Sequence, residues 1–201
     1  MNKKELAIAL SRLKPLEKSS AYLEQYATEC EIAADVLWMM SVSGNIQGKT
    51  IADFGCGNGI LGIGALLLSA KKVCFVDIDE KAIVIAKENL KELKLEKKAV
   101  FINIDVDKFK DNVDVVVQNP PFGVQQEHAD RKFLYAAFRR APVTYSFHKI
   151  ESRNFLKKIA VENGFQSVLL KEYRLPIKKT MEFHKKKTHY VDVGVWVFSQ
   201  A

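Results

Sequence analysis

Between Thr50 and Asp77 the sequence admits one local order: strand, glycine turn, helix, strand, acid. Thr50-Ile51-Ala52-Asp53-Phe54 reads as a strand, and Gly55-Cys56-Gly57-Asn58-Gly59 follows it directly. From about residue 60 to 70 an apolar helix places Leu61, Ala65 and Leu68 along one face. Val73-Cys74-Phe75-Val76-Asp77 is then a second strand. The glycines let the chain turn sharply and let a ligand approach its backbone, and a Cβ would obstruct both.

The alternation continues. A helix from about 80 to 93 turns Ile83, Ala86, Leu90 and Leu93 inward, with lysines and glutamates outward. A third strand over 99–104 ends at Asp105, and the apolar run 113–118 makes a fourth. A helix over 127–139, a strand over 143–147 and a helix over 150–162 follow, the last stopped by Asn163-Gly164. Strands over 166–172 and 190–198 close the chain and, having no helix between them, form an antiparallel pair. Ahead of this lie a basic amphipathic helix over 3–13 (Leu6, Leu10, Leu13) that ends before Pro15, and a helix over 29–41. Repeated βαβ units predict an α/β fold: a doubly wound, mostly parallel seven-stranded sheet with an antiparallel last strand and helices on both faces.

At 201 residues, 48% apolar and 27% charged, the chain reads as one globular domain over 1–201. It contains no apolar run of the roughly 18–20 residues that a membrane helix needs. A charged start, Met1-Asn2-Lys3-Lys4-Glu5, is unlike a signal peptide. Cys30, Cys56 and Cys74 are odd in number and lack metal-ligand spacing, so reduced thiols, no metal site and a cytoplasmic location are expected. The net charge of +7 favours a polyanionic partner.

The glycine loop has the spacing G-x-G-x-G, which is neither the G-x-G-x-x-G of dinucleotide binders nor a P-loop. Asp53 lies just before it, and Asp77 lies where an acid can accept hydrogen bonds from ribose hydroxyls. The fourth strand runs into Asn119-Pro120-Pro121-Phe122. Two prolines cannot extend a central strand, so an amide, free carbonyls and an aromatic ring are left at a strand's C-terminal end.

Strand, loop, helix, strand and acid in this order resemble the class I methyltransferases that use S-adenosylmethionine. The resemblance implies a Rossmann-like fold. It also implies that the glycine loop passes under the donor, that Asp77 holds its ribose and that Asp105 receives its adenine amino group. In those enzymes a tetrapeptide such as Asn119-Pro120-Pro121-Phe122 marks methylation of a planar amine or amide nitrogen. Asn119 and the Pro120 carbonyl would accept the two amino hydrogens and aim the lone pair, Pro121 would hold the turn and Phe122 would stack on the base. A base inside a stack cannot enter such a site, so the target is single-stranded or flipped out.

Leu23-Glu24-Gln25-Tyr26-Ala27-Thr28, Asn119-Pro120-Pro121-Phe122-Gly123, Tyr145-Ser146-Phe147-His148-Lys149 and Phe183-His184-Lys185-Lys186-Lys187 occur in one chain. Together they resemble the archaeal and eukaryotic methyltransferase-like family that makes N6-methyladenosine in small-subunit ribosomal RNA. The likeness runs from about residue 12 to 198, with Ala27 where relatives often have proline and Asn58 where eukaryotic members often have cysteine. It implies a helical lead-in over 1–45 that helps to cap the donor through Gln25, Tyr26 and Thr28. The remaining donor contacts would come from Asp53, Gly55, Gly57, Asn58, Gly59, Ile60, Asp77, Ile78, Asp105 and Val106. It also implies RNA as substrate and a small zinc-binding activator of the Trm112 type, docked by strand addition on a sheet edge that the sequence does not identify.

Lys171 to Lys187 holds six lysines and one arginine against Glu172 and Glu182. With Phe183 and His184 beside Lys185, Lys186 and Lys187, that loop reads as an RNA-backbone contact. His148-Lys149 closes the fifth strand and either orients the substrate or is a structural pair. Three other readings stay open: a glutamine-amide methyltransferase acting on protein, a DNA adenine methyltransferase, and a non-catalytic RNA-binding or assembly factor.

Overall fold

The computed structural model describes residues 1–16, 28–121, 129–177 and 189–200, with backbone only for 129–130, 175–177 and 189–190. Two helices lead: α1 (Lys3–Leu10) and α2 (Cys30–Val42). The alternating part runs β1 (Thr50–Phe54), α3 (Ile60–Leu67), β2 (Lys72–Asp77), α4 (Glu80–Glu92), β3 (Ala99–Asn103) and β4 (Val115–Gln118). It continues with α5 (Ala129–Phe138), β5 (Val143–Lys149), α6 (Arg153–Glu162), β6 (Phe165–Ile177) and β7 (His189–Gln200).

The seven strands form one sheet in the order β3-β2-β1-β4-β5-β7-β6. β2, β1, β4 and β5 pair in parallel along it, while β7 is antiparallel to both β5 and β6. β1 and β4 are the neighbours at which the strand order reverses, so their C-terminal ends flank the crevice where open α/β sheets bind ligands. The expected sheet and its antiparallel last strand are both present.

Apolar alternation explains the layers. One face of the sheet (Ile51, Val73, Phe75, Val115, Val117, Tyr145) lies under α1 to α4, with Leu6, Leu10, Leu37, Ile63 and Leu90 facing it. Ala52, Phe54, Cys74, Val76 and Val116 point the other way, under Ala136 and Ala137 of α5. Each fully buried leucine or phenylalanine contributes about 1.5–3 kcal/mol, so these two layers dominate the stability. α3 sits so close to β2 that a Cβ on Gly62 would lie 2.4 Å from the Phe75 ring.

Some boundaries differ from the sequence reading. α1 ends at Leu10 instead of 13, because Arg12 and Leu13 donate to carbonyls three residues back and tighten the chain before Pro15. β6 runs through Pro176 where the sequence suggested an end near 172. It is an edge strand, and an edge leaves one side of the ladder without need of a donor. Asp35 on α2 joins the first element to the final hairpin: Lys3 Nζ lies 2.8 Å from it, Lys171 pairs with it, and the Tyr173 hydroxyl donates to it at 2.8 Å. Burial alone would raise the Asp35 carboxyl, but these donors together hold its pKa at about 2. Among the described residues no helix is long and apolar enough to cross a membrane.

Candidate active site

The loop after β1 is held by strand β2. Gly55 and Cys56 both donate to the Val76 carbonyl, at 2.8 and 3.1 Å, and Gly59 closes the turn on Cys56 at 2.8 Å. Gly55, Gly57 and Gly59 have φ of 67°, 54° and 85°, which L side chains rarely adopt. Gly55 lies under the Phe133 ring, whereas a Cβ on Gly57 would meet nothing within 4 Å. The middle of the loop therefore offers bare backbone to a ligand.

Asp77 is drawn against that backbone. Its Oδ2 accepts from Gly57 N–H and its Oδ1 from Asp79 N–H, both at 2.9 Å. Burial raises its pKa, only partly offset by these donors. A carboxylate offers about four acceptor positions, so capacity remains for the expected ribose contact. Asp53 lies deeper, and its Oδ2 accepts from Gly62 N–H in the first turn of α3 at 2.8 Å. Burial pushes its pKa up to about 7, with Gly62 opposing and the Asp77 charge adding. Asp53 thus fixes the helix start beneath the loop.

Asn58 and Ile60 finish the loop. Asn58 Nδ2 donates to the Lys14 carbonyl at 3.2 Å, so its side chain faces the N-terminal segment. Asn89 of α4 completes this clasp: its Oδ1 accepts from Lys14 N–H at 2.8 Å, and its Nδ2 donates to the Lys14 and Asn58 carbonyls at 3.1 and 3.0 Å. Sequence reasoning passed over Asn89. The available signal was a lone amide among lysines and glutamates, one residue from the inward Leu90. Asn103 was missed likewise, and its Nδ2 donates to the Asp77 and Ile78 carbonyls at 3.0 Å each.

Ile78 is 59% exposed at the end of β2 and forms an apolar ledge on the rim. Asp105 pairs with Lys132 of α5 and accepts from Asp107 N–H at 3.1 Å. Burial works against its ionised form, but Lys132 and the Asp107 backbone outweigh it and hold the carboxyl below its ordinary value. Arg139 lies 3.0 Å from Asp107 and extends the network. Val106, next to Asp105, is buried in the cluster with Phe109 and Val113.

Asn119 follows β4 directly. Its Nδ2 donates to Thr28 Oγ1 at 3.1 Å, and its Oδ1 is buried. Pro120 is buried and Pro121 half-buried. Behind Asn119, Gln118 Nε2 donates to Ser146 Oγ at 3.0 Å, and Ser146 Oγ lies 2.7 Å from His148 Nε2. His148 is 1% exposed, and burial lowers its pKa to about 3. It is a neutral imidazole buried beside Ser146, with its ring edge-on to Phe198 at 6.5 Å. Lys149, next along the strand, is half-buried. Gln25, Tyr26, Phe122, Phe183, His184, Lys185, Lys186 and Lys187 lie outside the described residues.

α5 joins the parts of this rim. Phe133 covers Gly55, Lys132 reaches Asp105, and the Arg131 guanidinium lies 5.7 and 5.8 Å from the Tyr135 and Phe155 rings. Among the described residues no three His, Cys, Asp or Glu side chains are grouped to hold a metal ion.

Comparison with known proteins adds to this geometry. The family model described as "Methyltransferase small domain" matches residues 28–143. The rRNA N(6)-adenosine-methyltransferase METTL5 of Danio rerio is 35% identical, over 97% of this chain and 96% of its own. Its Drosophila melanogaster counterpart is 33% identical over 90% of this chain and 89% of its own. A crystal structure from Pyrococcus horikoshii, described as that of a candidate RNA methyltransferase, is 42% identical. It superposes with a TM-score of 0.89, covering 100% of this chain and 97% of that one.

Proposed function

Because the chain belongs to the methyltransferase small domain family, we propose that it transfers a methyl group from S-adenosylmethionine to the N6 amino group of an adenine in RNA, specifically small-subunit ribosomal RNA. One observation carries this reading. Phe54, which leads into the glycine loop, is the register partner of Gln118, which leads into Asn119. Adjacent strands lie about 4.8 Å apart, so the donor loop and the amide share one rim. The rRNA N6-adenosine-methylating relatives, similar over nearly their whole length, support an adenine of ribosomal RNA as the substrate.

The rim suits this donor. Gly57 leaves backbone open beside the Asp77 carboxylate, Ile78 gives a purine an apolar ledge, and Asp105 offers an acceptor to an adenine amino group. Thr28, with Gln25 and Tyr26, serves the methionine end. Asp53, Gly55, Asn58, Gly59 and Ile60 hold the loop in shape, and Val106 contributes backbone. When bound, S-adenosylmethionine supplies an electrophilic methyl group on a sulfonium and needs no acid to release it.

The work left to the protein is geometric. An exocyclic amine conjugated into its ring is a poor nucleophile. Asn119 Oδ1 and the Pro120 carbonyl accept its two hydrogens, bias the nitrogen towards a tetrahedral shape and aim its lone pair along the donor axis. Positioning of this kind contributes several kcal/mol, up to about 7–11 in favourable cases. The two prolines keep the acceptors from drifting, and Phe122 stacks on the base. Phe183, His184 and Lys185 to Lys187 hold the RNA backbone, with Lys149 beside the rim.

Residues 1–201 work as one catalytic domain whose first 45 residues cap the donor. Its place is the cytoplasm, where its three free thiols stay reduced. A Trm112-type partner adds a strand at β3. The sheet has two edges, β3 and β6. β6 carries Lys171, Glu172, Arg174, Pro176 and a register shift at Leu169/Lys171, devices that keep an edge from pairing. β3 is short, with Ala99, Val100, Phe101 and Ile102 each half-exposed.

The test is methyl transfer from labelled donor onto ribosomal RNA, mapped at nucleotide resolution. The wild type should mark an adenine at N6, and folded Asn119→Ala should not. Transfer to a protein glutamine in place of RNA would overturn the substrate, and activity surviving Asn119→Ala would overturn the mechanism.

A further inference from the structure

We propose that Thr28 is the positioning residue that decides which end of the Asn119 side-chain amide faces the substrate. Asn119 Nδ2 donates to Thr28 Oγ1 at 3.1 Å, and Asn119 Oδ1 is buried. The two ends of an amide are nearly alike in shape and opposite in hydrogen bonding. Turned by half a rotation, the same side chain would present N–H donors to an amino group that is itself a donor, and the clamp would repel what it must hold. Rotating the amide moves no backbone atom, so its orientation is set by its hydrogen-bond partners, and the Thr28 oxygen that accepts from Nδ2 lies 91 residues away in the chain, just ahead of α2.

A hydroxyl can donate as well as accept, so Thr28 enforces one orientation most strongly when its own proton is committed elsewhere. The carboxylate of S-adenosylmethionine, at the end that the proposed function assigns to Thr28, is such an acceptor, and this step rests on that reading. With the hydroxyl proton so engaged, Thr28 can only accept from Asn119. A single oxygen then links donor occupancy to the polarity of the substrate clamp.

Thr28→Val keeps the shape and removes the oxygen, and Thr28→Ser keeps the oxygen. In protein with nitrogen-15-labelled asparagine, the Asn119 amide pair is assigned by its loss in Asn119→Asp. Its exchange with solvent should be slow in the wild type and Thr28→Ser, and at least about tenfold faster in Thr28→Val. S-adenosylhomocysteine should slow it further only where the hydroxyl is present. At saturating donor, Thr28→Val should lower kcat by about tenfold or more, and Thr28→Ser by less than about threefold. In the Asn119→Asp background Thr28→Val should cost less than about threefold, since a carboxylate presents an acceptor whichever way it turns. Thr28→Ala gives the same readings if the valine variant does not fold. Amide exchange indifferent to Thr28, or a kcat fully restored by excess donor, would overturn the assignment. Thr28-dependent amide protection in a wild type that methylates no RNA would overturn the proposed function and leave this inference standing.

Discussion

Asn89 grips Lys14 by both main-chain groups, accepting from its N–H at 2.8 Å and donating to its carbonyl at 3.1 Å, while 1% exposed itself. A residue of the fourth helix thus pins the segment that follows α1 onto the glycine loop, because its Nδ2 also reaches Asn58. Asn89→Ala leaves buried main-chain groups without this partner and should cost about 1–3 kcal/mol in urea unfolding. Donor affinity, read by calorimetry with S-adenosylhomocysteine, should fall with it.

Asp105 and Lys132 make a second, separable pair. Their side chains are 24% and 41% exposed, so the pair adds at most about 1 kcal/mol to stability. Asp105→Ala should weaken S-adenosylhomocysteine binding about tenfold, the loss of one charge-assisted hydrogen bond. Lys132→Gln should leave the melting temperature nearly unchanged and bind the same ligand at least as tightly as the wild type. Equal damage from both changes would show that the ion pair, not the acid, serves the donor.

His148 gives the protein a pH signature. Burial lowers its pKa to about 3, against about 6.5 in the unfolded chain. A depressed folded value means stability that is present above the unfolded pKa and is lost as pH falls from about 6.5 towards about 3, at up to about 1.4 kcal/mol per pH unit. Urea unfolding at pH 7.5, 6 and 5 should show the wild type losing more than His148→Gln, which has no proton to gain. Methyl transfer between pH 6.5 and 9 should carry no inflection from this ring.

The β3 edge makes the partner testable. Ile102→Lys or Val100→Pro should abolish co-purification with a co-expressed Trm112-type protein. The matching changes on β6, Val168→Lys and Leu170→Lys, should leave the complex intact. Loss of the complex only in the β6 variants would move the partner to the opposite edge.

Much of this rim was legible because its constraints leave marks in one dimension. Gly57 must be bare, Asp77 must end a strand, and Asn119 must precede two prolines, and each condition narrows the residue types allowed. Asn89 and Asn103 left no such mark, since an amide on a helix or at a strand end looks the same facing water or facing a main-chain clasp. The burial of Val106 left no mark either. Its neighbour Asp105 belongs to the rim, but a short turn after Asp105 buries Val106 in the cluster with Phe109. The length of β6 was missed as well: the strand runs through Pro176 because it is an edge, and only the assembled sheet decides that.

The junction at Asp35 sets an order of events. A ribosome releases Lys3 and Asp35 long before Lys171 and Tyr173, so the carboxylate that joins the first helices to the final hairpin completes its bonds only when the chain is nearly finished. Until then the lead-in has its apolar contacts but not its last fastening. The nascent chain therefore emerges with its first helices unfastened from the hairpin that will hold them, and the junction closes only when synthesis is almost done.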